Sequence, residues 1–546
     1  MRVPMSPDSN QIVLGRLRFS RHAAIAALAA ALFIALSIWW LLYDKRVPGG
    51  GDPGRHLSLA LTFGGWLRDG DIGSMFTTGA QFGDDFFYPP LVHFVGSIPS
   101  ALGLQVQDWG TIAVNVVFVP MLVAGCFLVG RMTYGPLAGV LAVLFALGTP
   151  MLVNLFHVFL LDAPLTAAVA LALWALLATE RFSRTRMSAL AGALIAVATL
   201  VKTPAPLFLA GPIAVMLIGG GWRQWRNLLI AAGAALLVAG PYYLINVDEL
   251  VGTTEATTVA GNAGNTGGAG LESDSRFSLD NLSYYGWVAI NVQYLVPLLA
   301  LLVVGLVAAV RELRQRRHLP ELVAGLVVGY LAPTLLLSIR DPRYTLPLLV
   351  YVAVLATGWI AVSRRALLAG IGAAVLAGAV IVNVGAAITD VPTVRVSAPG
   401  DRPNPGDETQ PGRFTFLDGK GYVVGPPRPD PLWDRLLTAA ERDGLETALI
   451  LPRETPLWGT DIIGFNVLAR EYDVRGELYG ELPPHADLRI NTWWTSDDYW
   501  VGERGLPEPC GTVEEGALAP PESDPVPLSV AVERFVDGRY ERWCEF

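Results

Sequence analysis

Five polar islands interrupt an otherwise apolar chain, and each carries side chains able to do chemistry. Asp52 follows three glycines in "PGGGDPGRH", with Pro53 behind it and His56 four residues on. Asp84 and Asp85 open "GDDFFYPPLVHFVG", which also supplies Tyr88 and His93. Asp162 stands in "FHVFLLDAPLT" after His157, Lys202 in "LVKTPAPLF", and Arg340, Arg343 and Tyr344 in "SIRDPRYTLPLL". A charged side chain beside a membrane-apolar run costs free energy unless it meets water or a partner, so each is a candidate for function. A carboxylate such as Asp52 can act as general base and deprotonate an acceptor hydroxyl or amine. Lys202, Arg340 and Arg343 suit a phosphate, the arginines through their bidentate fork. Lys202 stands out because the chain has only two other lysines, Lys45 and Lys420.

Plainer readings stand beside these. Asp52 and Asp162 each precede a proline placed for a first helical turn, so either aspartate can be a helix cap. Phe86, Phe87 and Tyr88 can anchor an interface. Lys202 can snorkel to the membrane surface, and Arg340 can simply pair with Asp341.

The elements that carry these islands follow from composition. The chain has 546 residues, of which 52% are hydrophobic and 16% charged, with a mean hydropathy of +0.45. A soluble chain carries about a quarter charged residues, so a polytopic helical membrane protein is expected. The net charge of −9 hides an uneven distribution, with acidic residues gathered in a few loops and in the C-terminal part. No basic patch interleaved with aromatics points to nucleic acid. About eleven spans are expected, over roughly 22–43, 111–130, 135–156, 163–179, 187–201, 203–220, 227–246, 286–310, 319–338, 344–362 and 366–389. The first is read as a retained helix, because its apolar core is long and ends in an aromatic belt rather than a cleavage site.

Arginine clusters "RLRFSRH", "ERFSRTR", "GWRQWR", "RELRQRRH" and "SRR" all fall on one side of such a bundle. The positive-inside rule makes that side cytoplasmic. The expected organisation is then a cytoplasmic tail (1–21), a transmembrane domain (22–389) with outer loops 44–110 and 247–285, a Pro/Gly-rich linker (390–428), and an extracytoplasmic domain (429–546). The 247–285 loop is a lid or a linker. In the tail, "TALILP", "ADLRINTWW" and "LSVAVERFVDG" read as strands, with helices between, suggesting a small α/β domain. It contains no nucleophile elbow, phosphate loop or metal motif. Cys510 and Cys544 are a candidate disulfide if the tail is outside the cytoplasm. All five polar islands share the outer face in this topology. A base, several cations and a lid on one face describe transfer of a sugar from an anionic lipid-linked donor.

The ordered pieces Asp52, "YPPL" (88–91), "LLDAPLT" (160–166) and "RYTLPLL" (343–349), with "LVKTP", resemble the GT-C membrane glycosyltransferases. The broad group meant is that of the protein O-mannosyltransferases and lipid A aminoarabinose transferases. The resemblance covers about residues 20–390. It implies an inverting transfer from a polyprenyl-phosphate sugar to a glycan, lipid or protein acceptor outside the plasma (inner) membrane, with Asp52 as base. Asp162 is the second catalytic candidate; Lys202, Arg340 and Arg343 are candidates for the donor phosphate, and His56, Asp85, Tyr88 and Tyr344 for other substrate contacts. The family often has a second acid directly after its first-loop aspartate, where this chain has Pro53, so any helper must be Asp162 or Asp85. No cofactor is required. A divalent cation is an option, since some members hold a metal near the donor phosphate; His56, His93 and His157 are the ligand candidates. Two other functions remain open: a transporter or flippase of polyprenyl-linked glycans, and a non-catalytic relative acting in binding or assembly. The absence of an internal repeat argues against the transporter.

Overall fold

The computed structural model describes residues 11–14, 17–44, 46–48, 52–77, 80–82, 86–104, 106–248, 250–251, 276–337, 340–388, 393–397, 412–418 and 424–427, and five further strands between 447 and 545. The described chain is mostly helical. The helices are α1 (Arg21–Asp44), α2 (Asp52–Asp69), α3 (Ile72–Thr77), α4 (Leu91–Ala101), α5 (Val106–Tyr134), α6 (Pro136–Leu147), α7 (Pro150–Leu155), α8 (Asp162–Ala178), α9 (Thr185–Val201), α10 (Ala205–Ile218), α11 (Trp225–Ile245), α12 (Leu279–Val288), α13 (Leu295–Glu312), α14 (Leu319–Leu336), α15 (Leu349–Val362) and α16 (Ala366–Ile388). Among the described residues, six helical segments are long and apolar enough to cross a membrane: 21–42, 108–134, 221–245, 295–312, 319–336 and 366–386. The chain is a multi-pass membrane protein. The remaining apolar helices are 10–17 residues long. Such lengths fall at or short of the ~17–25 residues a simple span needs.

The chain divides into two compact units. One contains residues 1–37, 115–154 and 161–421, and the other 38–114, 155–160 and 422–546. In the first unit α8 is deeply buried: every residue except Leu171 and Trp174 is buried. Its sequence, "DAPLTAAVALALWALLA", is rich in alanine. Small side chains let backbones approach where lipid supplies no hydrophobic drive between helices. A Cβ on Gly125 of α5 would lie 2.5 Å from the Ala170 carbonyl carbon of α8, and one on Gly192 of α9 would collide with the Ala231 carbonyl of α11.

The structure redraws several expected spans. The stretch 135–156 is two helices, α6 and α7, broken at Gly148 and Thr149. Asn383 of α16, itself buried, donates its Nδ2 to the Gly148 carbonyl at 3.0 Å, satisfying an acceptor that the break exposes. The stretch 286–310 is not one helix either. α12 begins at Leu279, inside the expected 247–285 loop, with the Ser278 hydroxyl accepting from Asn281 N–H at 3.2 Å. A π-helical turn (Ala289–Gln293) then intervenes before α13. Leu295, fully buried, takes a left-handed φ of 61°. Such a conformation costs about 1–3 kcal/mol and persists only where the surroundings impose it.

In the second unit α2 packs on α4, and Leu59 and Phe63 of α2 form a buried cluster with Met75 of α3. The C-terminal strands form a five-stranded sheet. Thr447–Leu451 pairs in parallel with Leu488–Trp494, which pairs antiparallel with Leu528–Val536, and that with Arg539–Glu545. These include the three strands expected from the tail sequence. The expected helices between them, Cys510 and the Cys544 side chain lie outside the described residues.

Candidate functional site

Asp162 begins α8 after a turn at residues 156–161, with Pro164 in its first turn. The residue ahead of the helix is Leu161, and no side chain caps it. The capping reading therefore fails for Asp162. Its carboxylate, 3% exposed, instead accepts from Lys202 Nζ at 2.8 Å. Arg343 Nη1 stands 4.0 Å from its other oxygen. A lone carboxylate at such burial is strongly disfavoured, and two cations supply the compensation.

Lys202 reaches this position because the backbone breaks there. α9 ends at Val201, Lys202 is extended at φ −158° and ψ 131°, and α10 starts beyond Pro204. Tyr243 of α11 braces the break, its hydroxyl donating to the Thr199 carbonyl at 2.8 Å. The ammonium does not snorkel: the side chain is 19% exposed and also sits 5.1 Å from the Tyr344 ring centroid. That is cation–π range.

The 340–345 turn carries the other cations, and its pairing differs from the expected one. Arg343, not Arg340, binds Asp341. Its Nε donates at 2.9 Å to one carboxylate oxygen and Nη2 at 2.5 Å to the other, a bidentate pair. Its backbone N–H also donates to Asp341 at 2.8 Å. Arg340 lies over the Tyr284 ring, 5.5 Å from the centroid. Its Nε is buried and has no hydrogen-bond partner among the described residues. Lys202 has two further N–H donors beyond the one given to Asp162. Lys202 and Arg343, each locked by a carboxylate, meet at Asp162 with spare donors on Lys202 able to receive an anion, and Arg340 stands in the same turn as Arg343.

One positioning residue is not among those expected from the sequence. Gln293, in the π-helical turn and 1% exposed, donates from Nε2 to the Pro342 carbonyl at 2.7 Å and to Thr345 Oγ1 at 2.9 Å. It thereby fixes the turn on both sides of Arg343. Asn291 of the same turn accepts from the buried Thr415 hydroxyl at 2.9 Å. A glutamine inside an apolar run is the available signal, although it gives no hint of its partners.

In the second unit Asp52 is the first residue of α2, followed by Pro53. His56, one helical turn later and on the same face, is buried. Its Nδ1 lies 3.0 Å from His93 Nε2 of α4, and its ring meets the Tyr88 ring edge-on with centroids 4.8 Å apart. Burial, reinforced by His56, holds the His93 pKa well below the usual histidine value. His157 stacks on Trp40 with centroids 4.2 Å apart. Burial lowers its pKa to about 3. The three candidate metal histidines thus make two separate arrangements, a pair and a stack. Among the described residues no group of three His, Cys, Asp or Glu side chains is placed to hold a metal ion. Asp85 lies outside the described residues.

Residues 88–243 match a family model described as dolichyl-phosphate-mannose-protein mannosyltransferase. The matched segment contains Tyr88, His93, Asp162 and Lys202 and excludes Asp52, Arg340 and Arg343. No curated protein matches the chain. Among solved structures, it is similar to ArnT from Cupriavidus metallidurans bound to undecaprenyl phosphate, at 18% identity and a TM-score of 0.50 over 65% of this chain. It is equally similar to the same protein in the apo state, at 19% identity and a TM-score of 0.50 over 66%. The chain spans 64% of the length of either.

Proposed function

We propose that this chain, a multi-pass membrane protein with the GT-C glycosyltransferase fold, moves a sugar from a polyprenyl-phosphate donor to an acceptor outside the cytoplasm. The observation that carries the reading is the convergence of Lys202 and Arg343 on buried Asp162, with Arg340 beside Tyr284 offering an unused donor. Cations with spare N–H groups in a poorly solvated site are suited to a phosphate that is both handle and leaving group. The match to a mannosyltransferase family model and the fold shared with ArnT support the same class. That ArnT was solved with undecaprenyl phosphate supports a polyprenyl lipid as the donor's carrier.

In this reading Asp52 is the general base. The acceptor hydroxyl gives its proton to the Asp52 carboxylate as its oxygen bonds to the anomeric carbon. The bond from that carbon to the phosphate oxygen breaks, and its electron pair leaves with the phosphate. Attack opposite the leaving group inverts the anomeric centre. Lys202, Arg340 and Arg343 stabilise the charge that grows on the departing phosphate. Asp162 and Asp341 hold Lys202 and Arg343 in place; Tyr344 covers Lys202, while His56, Tyr88 and Asp85 serve the substrate. No step needs a metal. About eleven spans, a cytoplasmic N-terminus, an extracytoplasmic α/β domain and residence in the plasma (inner) membrane complete the proposal.

The test is turnover by purified protein given a panel of polyprenyl-phosphate sugars, comparing wild type with Asp52→Asn. General-base catalysis contributes about 10²–10⁴-fold, and a loss of that order is expected. Equal turnover by the two proteins sinks the base assignment. No turnover by wild type on any donor of the panel counts against the class of donor.

A further inference from the structure

The arginine loops that the transferase reading leaves unused line an open cavity. It lies in the first unit, has a volume of about 630 Å³, and is lined by Arg181, Arg314, Arg316 and Arg317 together with Glu180 and Glu321. The lining comes from four places: the 179–184 turn after α8, Met216 of α10, the 313–318 turn after α13, and the start of α14.

Most of these charges are already engaged. Arg317 Nη2 lies 3.0 Å from Glu180. Arg316 pairs with Glu312 and covers the Tyr134 ring at 4.8 Å. Arg181 Nη1 donates to the Gly219 carbonyl at 3.0 Å. Two groups are left over. Arg314 has no ion-pair partner among the described residues. Glu321 is 5% exposed, and its Oε2 is buried without a hydrogen-bond partner. A ligand that completes this cavity therefore carries an anionic group for the guanidiniums and a hydrogen-bond donor for Glu321.

The surroundings set the level of the cavity. The Gly219 carbonyl that holds Arg181 leads into Trp222 and Trp225, which are 60% and 58% exposed. Arg223 and Arg226 lie over these two rings at 5.4 Å each. Exposed tryptophans with arginine partners mark the headgroup layer of a bilayer. Basic pockets between transmembrane helices at that level suit phospholipid headgroups.

We propose that the Glu180–Arg181/Arg314–Glu321 cavity binds a phosphate-bearing ligand with its own hydrogen-bond donor, most simply the headgroup of an anionic phospholipid such as phosphatidylglycerol. The phosphodiester meets Arg314 and the neighbouring guanidiniums, and a glycerol hydroxyl donates to Glu321. The site is separate from the Asp162–Lys202 cluster and does not depend on the transferase reading.

The experiment uses full-length protein, stripped of lipid in detergent. Phosphatidylglycerol, phosphatidylcholine or inorganic phosphate is added, with retention read by native mass spectrometry and stability by thermal unfolding. Wild type is compared with Arg314→Gln and Glu321→Gln. Wild type is expected to retain phosphatidylglycerol and unfold later with it, and not to respond to phosphatidylcholine, which lacks the donor. Losing one charge-assisted contact weakens retention roughly tenfold, and either variant should show this while unfolding normally without lipid. Arg314 is exposed, so its variant keeps the test valid if Glu321→Gln does not fold. A response to inorganic phosphate alone, abolished in Arg314→Gln, supports the site and assigns a soluble phosphate as its ligand. Equal retention by wild type and Arg314→Gln, or an equal response to the two lipids, overturns the proposal.

Discussion

Two charged clusters in the same unit of this protein obey different energetics. Around Asp162 the side chains are nearly closed off: Asp162 is 3% exposed, Lys202 19%, Arg343 13% and Asp341 16%. Around Glu180 they are open, with Arg184 56% and Arg317 63% exposed against 28% for the glutamate. Both clusters satisfy the same distance criterion for an ion pair. They differ in what happens when a partner is removed. In the open cluster water replaces the partner, and the pair is worth about 0–1 kcal/mol. In the closed cluster the remaining charge is stranded, at about 3–5 kcal/mol. The closed cluster is also where the proposed phosphate chemistry lies, because the same exclusion of water strengthens the pull of cations on a leaving group.

Lys202→Met is the strongest test of this contrast. Among the described residues it leaves the buried Asp162 carboxylate with only Arg343, 4.0 Å away. A loss of about 3–5 kcal/mol in denaturant unfolding is expected. Adding Asp162→Leu to Lys202→Met should restore much of it, since the second change removes the stranded charge. A single-variant cost no larger than that of Arg317→Gln breaks the comparison.

Gln293→Leu sharpens it, by asking how far the closed cluster depends on neutral supports. The change leaves the Pro342 carbonyl and Thr345 hydroxyl without their buried donor. The cost expected is about 1–3 kcal/mol. Because Gln293 fixes the turn rather than touching substrate, Gln293→Glu is informative beside it: a group of the same shape lacking the two N–H donors should be no better than leucine. A Gln293→Leu variant as stable as wild type would show that Arg343 and Asp341 hold the turn alone.

These two residues also mark the boundary of what the sequence reveals. Lys202 is conspicuous, being one of three lysines and sitting between apolar runs. The helical stretches are legible for a local reason, since length and apolarity need no partner to be recognised. What the sequence leaves open is pairing. "RDPR" contains two arginines either side of one aspartate, and only the turn geometry selects Arg343 as its partner. Asp162 ahead of a proline reads as a helix cap or a catalytic acid, and nothing in the sequence announces the ion pair made when Lys202 is brought 40 residues back to it. The π-helical turn that positions Gln293 lies in a run that composition alone presents as one continuous span. Gly148 similarly reads as mid-span, because the Asn383 that satisfies its carbonyl is 235 residues away.

His318, beside the open cluster, is buried, and acid tests it. Burial, with Arg317 and Arg181 adding to it and Glu180 opposing, lowers its pKa from 6.5 to about 4. The unfolded chain therefore binds this proton first as pH falls. Its contribution to stability is complete above about 6.5 and is lost as pH drops from there towards 4. The slope is about 1.4 kcal/mol per pH unit at its steepest. His318 has a φ of 67°, which asparagine tolerates better than most residues. His318→Asn should therefore fold and should flatten unfolding curves collected between pH 7 and 5. Identical pH dependence in variant and wild type would place His318 in water and leave the open cluster open throughout.

Arg317→Gln completes the series with the smallest effect. It breaks the Arg317–Glu180 contact at 3.0 Å, but Glu180 keeps Arg184 at 2.5 Å and both arginines are more than half exposed. A change within about 1 kcal/mol is expected, shrinking further as salt is added. A loss comparable to that of Lys202→Met would mean that Glu180 is not served by water when its partner goes. The 179–184 turn gives such an outcome a physical route. Glu180, Arg181 and Phe182 all have left-handed φ, at 51°, 60° and 61°. A conformation costing about 1–2 kcal/mol per residue needs holding contacts. Thr179 Oγ1, which accepts from Phe182 N–H at 3.0 Å, and Asn227 Nδ2, which donates to the Phe182 carbonyl at 2.6 Å, already supply them without Arg317. The Arg317 contact thus carries little of the turn's stability, in contrast to a pair of similar length at Lys202, where the carboxylate is only 3% exposed and water has little access to take the partner's place.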